Sequence, residues 1–435
     1  MHRTRTTRRG FLGALAAAGA GAPLLARAEA IEAAVLDDGP ASGSTVFDAN
    51  GRLSIRRLRE QYLLSADLIY LNHASIGTVP AAVHRAHAGY LELCESFPSL
   101  YVWGSAWRDV TETTRGLAAD LLGCEAEDLA ITHNTTEGFN VLAHGLPLVS
   151  GDEVLFSSLN HPGASVAWRG VAARRGFKVR DFDFPILRGE EMTVEEVVDL
   201  HMAAIRPETR ALVVPHVDNS IGLTHPLKEI AEAARARGVE FILVDGAQSA
   251  GMIPVDLGSA GVDAYAMSPH KWIQAPKGTG LFWVAPGLRD QLPRMWYRTG
   301  GERIRGSARK YEDYSTRAWP AVVALGDALA FQASIGADEK QRRYRALWSQ
   351  VYERTQADPA LAWRSPVDPE LRSVIMAVEV RGAAAPEVGS ALLEGHGAVV
   401  RSFGGPLNTL RVSPNVMTED VEITRFLDAA AAQGS

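Results

Sequence analysis

The chain has 435 residues, of which 46% are hydrophobic and 22% are charged, and its formal net charge is −7 at pH 7. This composition is ordinary for a globular protein with two domains or one large α/β body, and it excludes a repeat array, a coiled coil and a disordered polymer. An acidic chain repels phosphate backbones, so we expect no nucleic-acid partner.

The first 28 residues have the features of an export signal. Two adjacent arginines, Arg8 and Arg9, precede an Ala/Gly/Leu-rich stretch, and residues 26–28 offer a small-x-small cleavage site. We predict a twin-arginine signal peptide over residues 1–28 and a periplasmic or extracytoplasmic protein. Its removal lowers Lys+Arg from 44 to 39 against 51 acidic residues, so the net charge becomes −12. The alternative, an amphipathic N-terminal helix, would need a polar face that this stretch lacks.

The predicted elements alternate between strands and helices. The predicted helices cover residues 54–64, 80–93, 111–122, 136 onward, 164–175, 194–205 and 227–237. The predicted strands cover residues 68–71, 129–132, 153–157, 178–182, 211–215, 241–245, 264–267 and 280–284. This alternation predicts an α/β fold with a mostly parallel sheet, helices on both faces, and ligands at the carboxyl ends of the strands.

The C-terminal part of the chain changes in character. Predicted helices at 319–335 and 338–357 are followed by strands at 374–380 and 409–412 and by a helix from residue 418. We therefore predict a smaller C-terminal α+β domain over 318–435, after a linker and N-terminal segment over 29–67 and a large domain over 68–317. No segment after the signal has the length and composition of a membrane span.

Only two cysteines occur, Cys94 and Cys124, which are too few for a disulfide scaffold or a zinc knuckle. An exported protein can form a disulfide, so both a bridge and two reduced thiols remain open. No metal site is expected.

Two charged residues end consecutive predicted strands. Burial alone would raise the pKa of the Asp245 carboxyl group and neutralise it, so this residue needs a cationic partner to stay charged. Lys271 follows the next strand and can lie beside Asp245. Taken alone, Asp245 could instead cap the following helix, and Lys271 could be a solvated lysine on a turn.

Further strand ends carry hydroxyl, imidazole and amide groups. They are Thr135 with Thr136, His161, Asn219, and Ser268 with His270. The two threonines join a strand to a helix, where free backbone N–H groups can bind an anion. Each residue is a weak signal by itself, because threonine is a common helix cap and a histidine at such a position is more often structural.

Four segments in this order resemble the class V aminotransferase family, to which cysteine desulfurases and isopenicillin N epimerase-like enzymes belong. They are HVDNSIG (216–222), VDGAQSAG (244–251), AMSPHKW (266–272) and APKGTGLFWV (275–284). The resemblance extends over residues 68–425. It implies pyridoxal-phosphate fold type I, with a mostly parallel seven-stranded sheet, pyridoxal 5'-phosphate as the cofactor, and a homodimer.

The resemblance also implies roles for the candidate residues. Lys271 would form a Schiff base with the cofactor and move protons at the substrate α-carbon, Asp245 would keep the pyridine nitrogen protonated, and His161 would stack on the ring. The remaining cofactor contacts would be Gln248 and Asn219 on the phenolic oxygen, Thr135, Thr136, Ser268 and His270 on the phosphate, and Thr316 on the phosphate of a second subunit.

Three residues are implied to face the substrate. Arg411 would bind the α-carboxylate through a bidentate guanidinium–carboxylate pair, and the alternative is a surface arginine at a strand end. Asn72 and His73 resemble an N-terminal active-site loop and would line the substrate pocket.

We expect a pyridoxal-phosphate enzyme that acts at the α-carbon of a small-molecule amine, either an amino acid or a peptide-like compound. Transamination or related chemistry is the first prediction, with siderophore or secondary-metabolite tailoring as one candidate role. No cysteine follows Cys124, which disfavours a desulfurase that forms a persulfide in its C-terminal third. A β-eliminating or C–S lyase, an epimerase and a non-catalytic binding protein remain alternatives.

Overall fold

The computed structural model describes residues 46–48, 50–103, 107–297, 304 and 306–434. The predicted export signal at residues 1–28 lies outside the described residues. The strands, in chain order, are β1 Ile69–Tyr70, β2 Leu129–Thr132, β3 Glu153–Ser157, β4 Lys178–Phe182, β5 Thr209–Pro215, β6 Phe241–Asp245, β7 Ala264–Met267, β8 Gly280–Val284, β9 Leu361–Trp363, β10 Met376–Val380, β11 Ala398–Val399, β12 Arg401–Phe403 and β13 Thr409–Val412.

Helices separate most of these strands. They are α1 Ile55–Arg59, α2 Ala81–Ser96, α3 Arg108–Leu122, α4 Thr135–Gly145, α5 Pro162–Arg175, α6 Val194–Ala204, α7 Leu227–Ala236, α8 Pro286–Gln291, α9 Trp319–Ile335, α10 Ala337–Ala357, α11 Ala385–His396 and α12 Asp420–Ala431. Local signals set several of their ends. Asn134 caps α4 by accepting a hydrogen bond from Glu137 N, Thr193 and Glu196 form a capping box at α6, and Gly123 ends α3 with a φ of 60°.

The large sheet has the strand order β2-β8-β7-β6-β5-β3-β4. Strand β8 is antiparallel to both neighbours and every other neighbouring pair is parallel, so the predicted mostly parallel seven-stranded sheet is confirmed. Every residue of β2, β3, β6, β7 and β8 is buried, because helices cover both faces of the sheet. The parallel direction places the carboxyl ends of β2, β3, β5, β6 and β7 at one edge.

The C-terminal residues form a second, antiparallel sheet with the order β12-β13-β10-β9. The parallel pair of β1 with β11 and a bridge between Asn72 and Ser413 join the N-terminal segment to this region. The structure adds α8, β9, α11, β11 and β12 to the predicted elements and begins β10 at Met376 rather than at residue 374. The exact domain boundary at 317/318 stays a prediction.

No single helix among the described residues has both the length and the apolar composition of a membrane span. The consecutive helices α9 and α10, which are bent by 75°, meet that test only when taken together. Cys94 and Cys124 are free cysteines, so the structure has the two-thiol arrangement.

A cluster of buried histidines lies beside the end of β5. The rings of His201 on α6 and His225 meet edge-on with centroids 5.3 Å apart, and Phe182 and Phe184 pack against His201. Burial lowers the pKa of His201 to about 4, that of His216 to about 3, and that of His225 well below its usual value. All three rings are therefore neutral in the folded protein at mildly acidic pH.

We predict that the free energy of unfolding falls as the pH drops below 6.5, the ordinary pKa of histidine. In that range the unfolded chain binds protons at these histidines and the folded chain does not. The free energy of unfolding therefore falls by about 1.4 kcal/mol for each such histidine and each pH unit. Urea unfolding between neutral pH and about pH 5 measures the slope. His201→Phe should reduce this slope by about 1.4 kcal/mol per pH unit. His396→Gln, which replaces an exposed histidine, should leave the slope unchanged. Equal slopes in His201→Phe and the parent would contradict this account.

Candidate active site

A small hollow opens at the carboxyl edge of the large sheet. It is lined by Leu159, His161, Pro215, Val217, Asn219, Asp245, Ala247, Gln248 and Lys271. Five of the predicted site residues therefore meet in one place although they come from the ends of four different strands.

Asp245 ends β6 and is 6% exposed. Its Oδ1 accepts a hydrogen bond from Ala247 N at 2.9 Å. Burial raises the pKa of this carboxyl group, whereas that hydrogen bond and the charge of Lys271 lower it. The carboxylate is thus suited to hold a positive charge placed in the hollow, because such a charge would offset the cost of its burial.

Lys271 follows β7 and faces the same hollow. Burial lowers the pKa of its amine to about 8, and the nearby Asp245 carboxylate acts in the opposite direction. An amine with this pKa is partly neutral near physiological pH, which is the state that attacks a carbonyl carbon and accepts a proton.

The backbone around Lys271 is pinned by the N-terminal loop at residues 72–77. Gly77 N donates a hydrogen bond to His270 O at 2.9 Å. A Cβ atom at Gly77 would lie 2.0 Å from Lys271 O, so only glycine permits this approach. The loop and the lysine segment therefore hold each other in place.

Paired hydroxyl groups mark the beginning of α4. Thr135 Oγ1 and Ser268 Oγ are 2.8 Å apart, and Thr135 N donates to the same Ser268 oxygen at 3.2 Å. Thr136 is exposed, and a Cβ atom at Gly163 would lie 3.0 Å from both Thr136 Oγ1 and His161 Nδ1. The hydroxyls of Thr135, Thr136 and Ser268 thus lie at the N-terminus of α4, an arrangement that suits an anion.

His161 caps α5, and its Nδ1 accepts a hydrogen bond from Gly163 N at 3.0 Å. Burial lowers the pKa of the ring, with a further contribution from Lys271. A neutral ring that accepts at Nδ1 carries its proton on Nε2. His161 therefore offers the hollow an uncharged aromatic face.

The amide of Gln248 is held at both ends. Its Nε2 donates to Ala74 O, and its Oε1 accepts from Trp272 Nε1, both at 2.9 Å. One N–H of the amide remains for a ligand in the hollow. Asn219 also lines the hollow, and its backbone oxygen accepts a hydrogen bond from Arg411.

Arg411 is 2% exposed and bonds only to uncharged groups. Its Nη1 donates to Asn219 O at 2.8 Å, and its Nη2 donates to Asn72 Oδ1 at 2.8 Å and Ser75 Oγ at 2.5 Å. Burial lowers the pKa of the guanidinium to about 10, so it stays charged at neutral pH. Within the described chain no carboxylate forms an ion pair with Arg411.

Eight of the predicted residues do not line the hollow; they are Asn72, His73, Thr135, Thr136, Ser268, His270, Thr316 and Arg411. His73 is fully buried, and its ring meets Tyr70 edge-on at 4.9 Å, so the structure does not bring it to the substrate side. The backbone oxygen of His270 bonds to Gly77, and its ring is not part of the lining. Thr316 is exposed beyond Glu312, whose carboxylate accepts hydrogen bonds from Arg115 on α3 and from Ile131 N on β2.

Sequence reasoning missed three supporting residues. Ser75 bonds to Arg411, Gly77 supports the lysine segment, and Trp272 holds Gln248. Trp272 lies inside the segment AMSPHKW, and Ser75 and Gly77 closely follow the predicted residues Asn72 and His73. Their positions near predicted residues could have drawn attention to them, but their contacts could not be read from the sequence.

These groups fit pyridoxal 5'-phosphate. The buried acid suits a protonated ring nitrogen, the buried amine suits the aldehyde, and the hydroxyls at the helix N-terminus suit the phosphate. Fold and site together define a pyridoxal-phosphate-dependent enzyme of fold type I.

Residues 69–417 match the family "Aminotransferase class-V", and the chain belongs to this family. The role of each individual site residue stays a prediction.

Two relatives align over nearly their full length. The isopenicillin N epimerase of Amycolatopsis lactamdurans is 31% identical over 85% of this chain and 96% of its own length. The isopenicillin N epimerase of Streptomyces clavuligerus is 29% identical over 86% of this chain and 97% of its own length. A third relative, a probable cysteine desulfurase of Halobacterium salinarum, is 28% identical over 77% of this chain and 82% of its own length.

Solved structures show the same fold. A C-DES variant with glycine covalently linked to its pyridoxal-phosphate cofactor has a TM-score of 0.75 at 23% identity, covering 86% of this chain and 99% of that one. The cysteine desulfurase CsdA of Escherichia coli has a TM-score of 0.72 at 24% identity, covering 86% and 97%.

We predict that Gly77→Ala weakens cofactor binding. The new Cβ atom would overlap Lys271 O and force the loop at 72–77 and the lysine segment apart. We expect the dissociation constant of pyridoxal 5'-phosphate, measured by absorbance titration, to rise on the order of tenfold. Gly116→Ala is the control, because a Cβ atom there meets nothing within 4 Å. Unchanged cofactor affinity in Gly77→Ala would show that the close approach has no importance for the site.

Proposed function

We propose that the protein acts at the α-carbon of an amino acid or a peptide-like amine, with transamination as the leading reaction. One observation carries the proposal: Lys271 and Asp245 face one hollow, and the buried cation Arg411 bonds to Asn219 on its lining. A substrate amine and its α-carboxylate can thus be bound side by side.

When bound, pyridoxal 5'-phosphate supplies an electron sink for charge at the substrate α-carbon. Asp245 would keep the ring nitrogen protonated, since a buried carboxylate stabilises the positive form. Thr135 and Ser268, with the N-terminus of α4, would hold the phosphate. His161, as a neutral ring, would contact the cofactor without competing for its charge.

Lys271 would carry the proton at the α-carbon. Its lowered pKa of about 8 leaves part of the amine neutral and able to accept a proton. The same group can then return that proton, because an acid–base group works best when its pKa lies near the working pH. Exclusion of water by the buried lining favours transfer to the substrate rather than to solvent.

Arg411 would orient the substrate. Three of its hydrogen bonds go to neutral partners, and Nε is buried without one. A guanidinium in this state binds a carboxylate strongly, because both members of the pair are charged. The carboxylate would also supply the negative charge that the buried cation lacks.

Epimerisation is the second candidate. It is supported by the two isopenicillin N epimerases, which align over nearly their full length at 29% and 31% identity. A desulfurase that stores sulfur on its own cysteine is disfavoured, because no cysteine follows Cys124. Epimerisation and transamination share removal of the α-proton and differ in whether a keto product forms.

Incubation of the cofactor-loaded protein with a panel of amino acids and amino-terminal peptides in heavy water tests the proposal. We expect deuterium at the α-carbon, detected by mass spectrometry, together with a keto product for transamination or an inverted centre for epimerisation. Lys271→Ala should abolish the exchange. Asp245→Asn should keep the coloured cofactor but slow exchange on the order of 100-fold, the effect of losing one buried electrostatic stabiliser.

Three results would count against this function. They are a colourless parent protein, ammonia and pyruvate released with no amino acceptor, and Asp245→Asn exchanging as fast as the parent. The first would favour a binding protein on this scaffold, and the second would favour a β-eliminating lyase.

We further propose a homodimer. Trp296 and Tyr297 are 40% and 80% exposed, and Trp296 borders an open apolar cavity that also contains Thr136 and Tyr314. A second subunit on this surface would cover these aromatic groups, next to the exposed Thr316. Analytical ultracentrifugation should give twice the chain mass, and a fully active monomer would contradict the proposal.

We also propose export through a twin-arginine signal. The supporting observation is the order of arginine pair, apolar stretch and small-residue site in residues 1–28. Mass spectrometry of the protein from a periplasmic fraction should show cleavage near residue 28. Arg8→Lys combined with Arg9→Lys should keep the protein in the cytoplasm, and unimpaired export of that variant would rule the signal out.

A further inference from the structure

Two arginines lie opposite each other in the antiparallel C-terminal sheet. Arg401 on β12 pairs with Arg411 on β13 in the strand register. Directly opposed residues of an antiparallel pair project from the same face, with Cβ atoms about 5 Å apart. Phe403 lies on that face as well, with the guanidinium carbons of Arg401 and Arg411 5.8 and 5.9 Å from its ring centroid.

The groups that contact Arg411 among the described residues are uncharged. Arg411 bonds to a backbone oxygen, an amide and a hydroxyl group. On the neighbouring strand, Glu379 is bound by Arg364. In the described ranges neither arginine of the pair forms an ion pair.

The charge of Asp218 influences Arg411, but the Asp218 carboxylate is already hydrogen-bonded to the backbone. Its two carboxylate oxygens accept hydrogen bonds from the backbone N–H groups of Ser220, Ile221 and Leu223. Among the described residues it forms no ion pair with either arginine, although its charge favours the protonated form of Arg411. Arg401 acts in the opposite direction and lowers the pKa of the Arg411 guanidinium, after the larger effect of burial.

Like charges directly opposite each other in a sheet are destabilising. The cost is larger here because Arg411 is buried, where the low dielectric strengthens repulsion. A single bound carboxylate would neutralise Arg411 and leave the exposed Arg401 unpaired. Two anionic groups would neutralise both cations.

We propose that Arg401 and Arg411 bind two carboxylates of one substrate, so that the site takes an acidic amino acid or an amine derivative with a second carboxylate. This inference rests on the proposed function, in which Arg411 takes the α-carboxylate. Arg411 is the inner position, joined to the hollow through Asn219. Arg401 is the outer position, exposed on the edge strand of the sheet.

The test compares two unreactive probes of equal chain length, glutarate with two carboxylates and pentanoate with one. Their dissociation constants for the cofactor-loaded protein are measured by calorimetry at one fixed ionic strength, because salt screens exposed charges. The variants are Arg401→Gln, Arg401→Lys, Arg411→Gln and, as a control for loss of an exposed charge, Arg425→Gln on α12. The visible absorption of the cofactor shows that each variant is folded and loaded.

We expect the parent protein to bind glutarate about tenfold more tightly than pentanoate. Arg401→Gln should bring the two affinities together by weakening glutarate only, Arg401→Lys should keep part of the difference, and Arg425→Gln should keep all of it. Arg411→Gln should weaken both probes.

The outcomes that overturn the inference are distinct from those that overturn the proposed function. Equal affinities in the parent, or a preference for glutarate that survives Arg401→Gln, would remove the outer position alone. Equal weakening of both probes by Arg401→Gln would mean that the two arginines share one carboxylate, which also overturns it. If Arg411→Gln changes neither affinity, the carboxylate site of the proposed function fails, and this inference fails with it.

Discussion

The structure depends on two opposite charges buried at the ends of adjacent strands. Transfer of the Asp245 carboxylate and the Lys271 amine out of water costs free energy for each, which is why burial raises one pKa and lowers the other. Their mutual attraction offsets part of that cost. The desolvation cost that is left favours binding of a ligand with two features. One is a positively charged ring nitrogen for the Asp245 carboxylate, and the other is a carbonyl carbon for the Lys271 amine.

The parallel sheet supplies the rigid frame for this pair. Asp245 is in register with Ala266, so β6 and β7 end side by side. Behind them, a Cβ atom at Gly246 would lie 1.8 Å from the ring of Tyr265, whose hydroxyl bonds to His216 at 2.5 Å and to Ser249. Because this backing is closely packed, the two charged groups keep their positions when the charge in the hollow changes.

The substrate side is assembled differently. Arg411 is held by groups from two regions that are far from it in the chain, the N-terminal loop at 72–77 and the residue Asn219 after β5. The small sheet, the N-terminal segment and the large sheet therefore meet at Arg411. The proposed cofactor site lies on the large sheet, and the proposed carboxylate site lies at the junction between the sheets.

The succession of strands and helices along the large domain was predictable, because buried parallel strands appear as short apolar runs between helical patterns. The bounds of β2, β3, β4, β6, β7 and β8 agree with those predicted. The short strands β9, β11 and β12 were not predicted, since two or three residues carry no periodicity and their pairing depends on partners distant in the chain. Asp245, Lys271 and their neighbours were identifiable because chemically unusual residues follow strands at one edge.

By itself, then, the sequence determined the α/β class, the strands of the large sheet and the residue types at their ends, because these follow from local apolar patterns. Only the tertiary structure decided that His73 is enclosed beside Tyr70, that Gly77 lies against the lysine segment, and that Arg401 lies opposite Arg411. These outcomes depend on strand register and on packing between segments, and no local pattern in a chain encodes either.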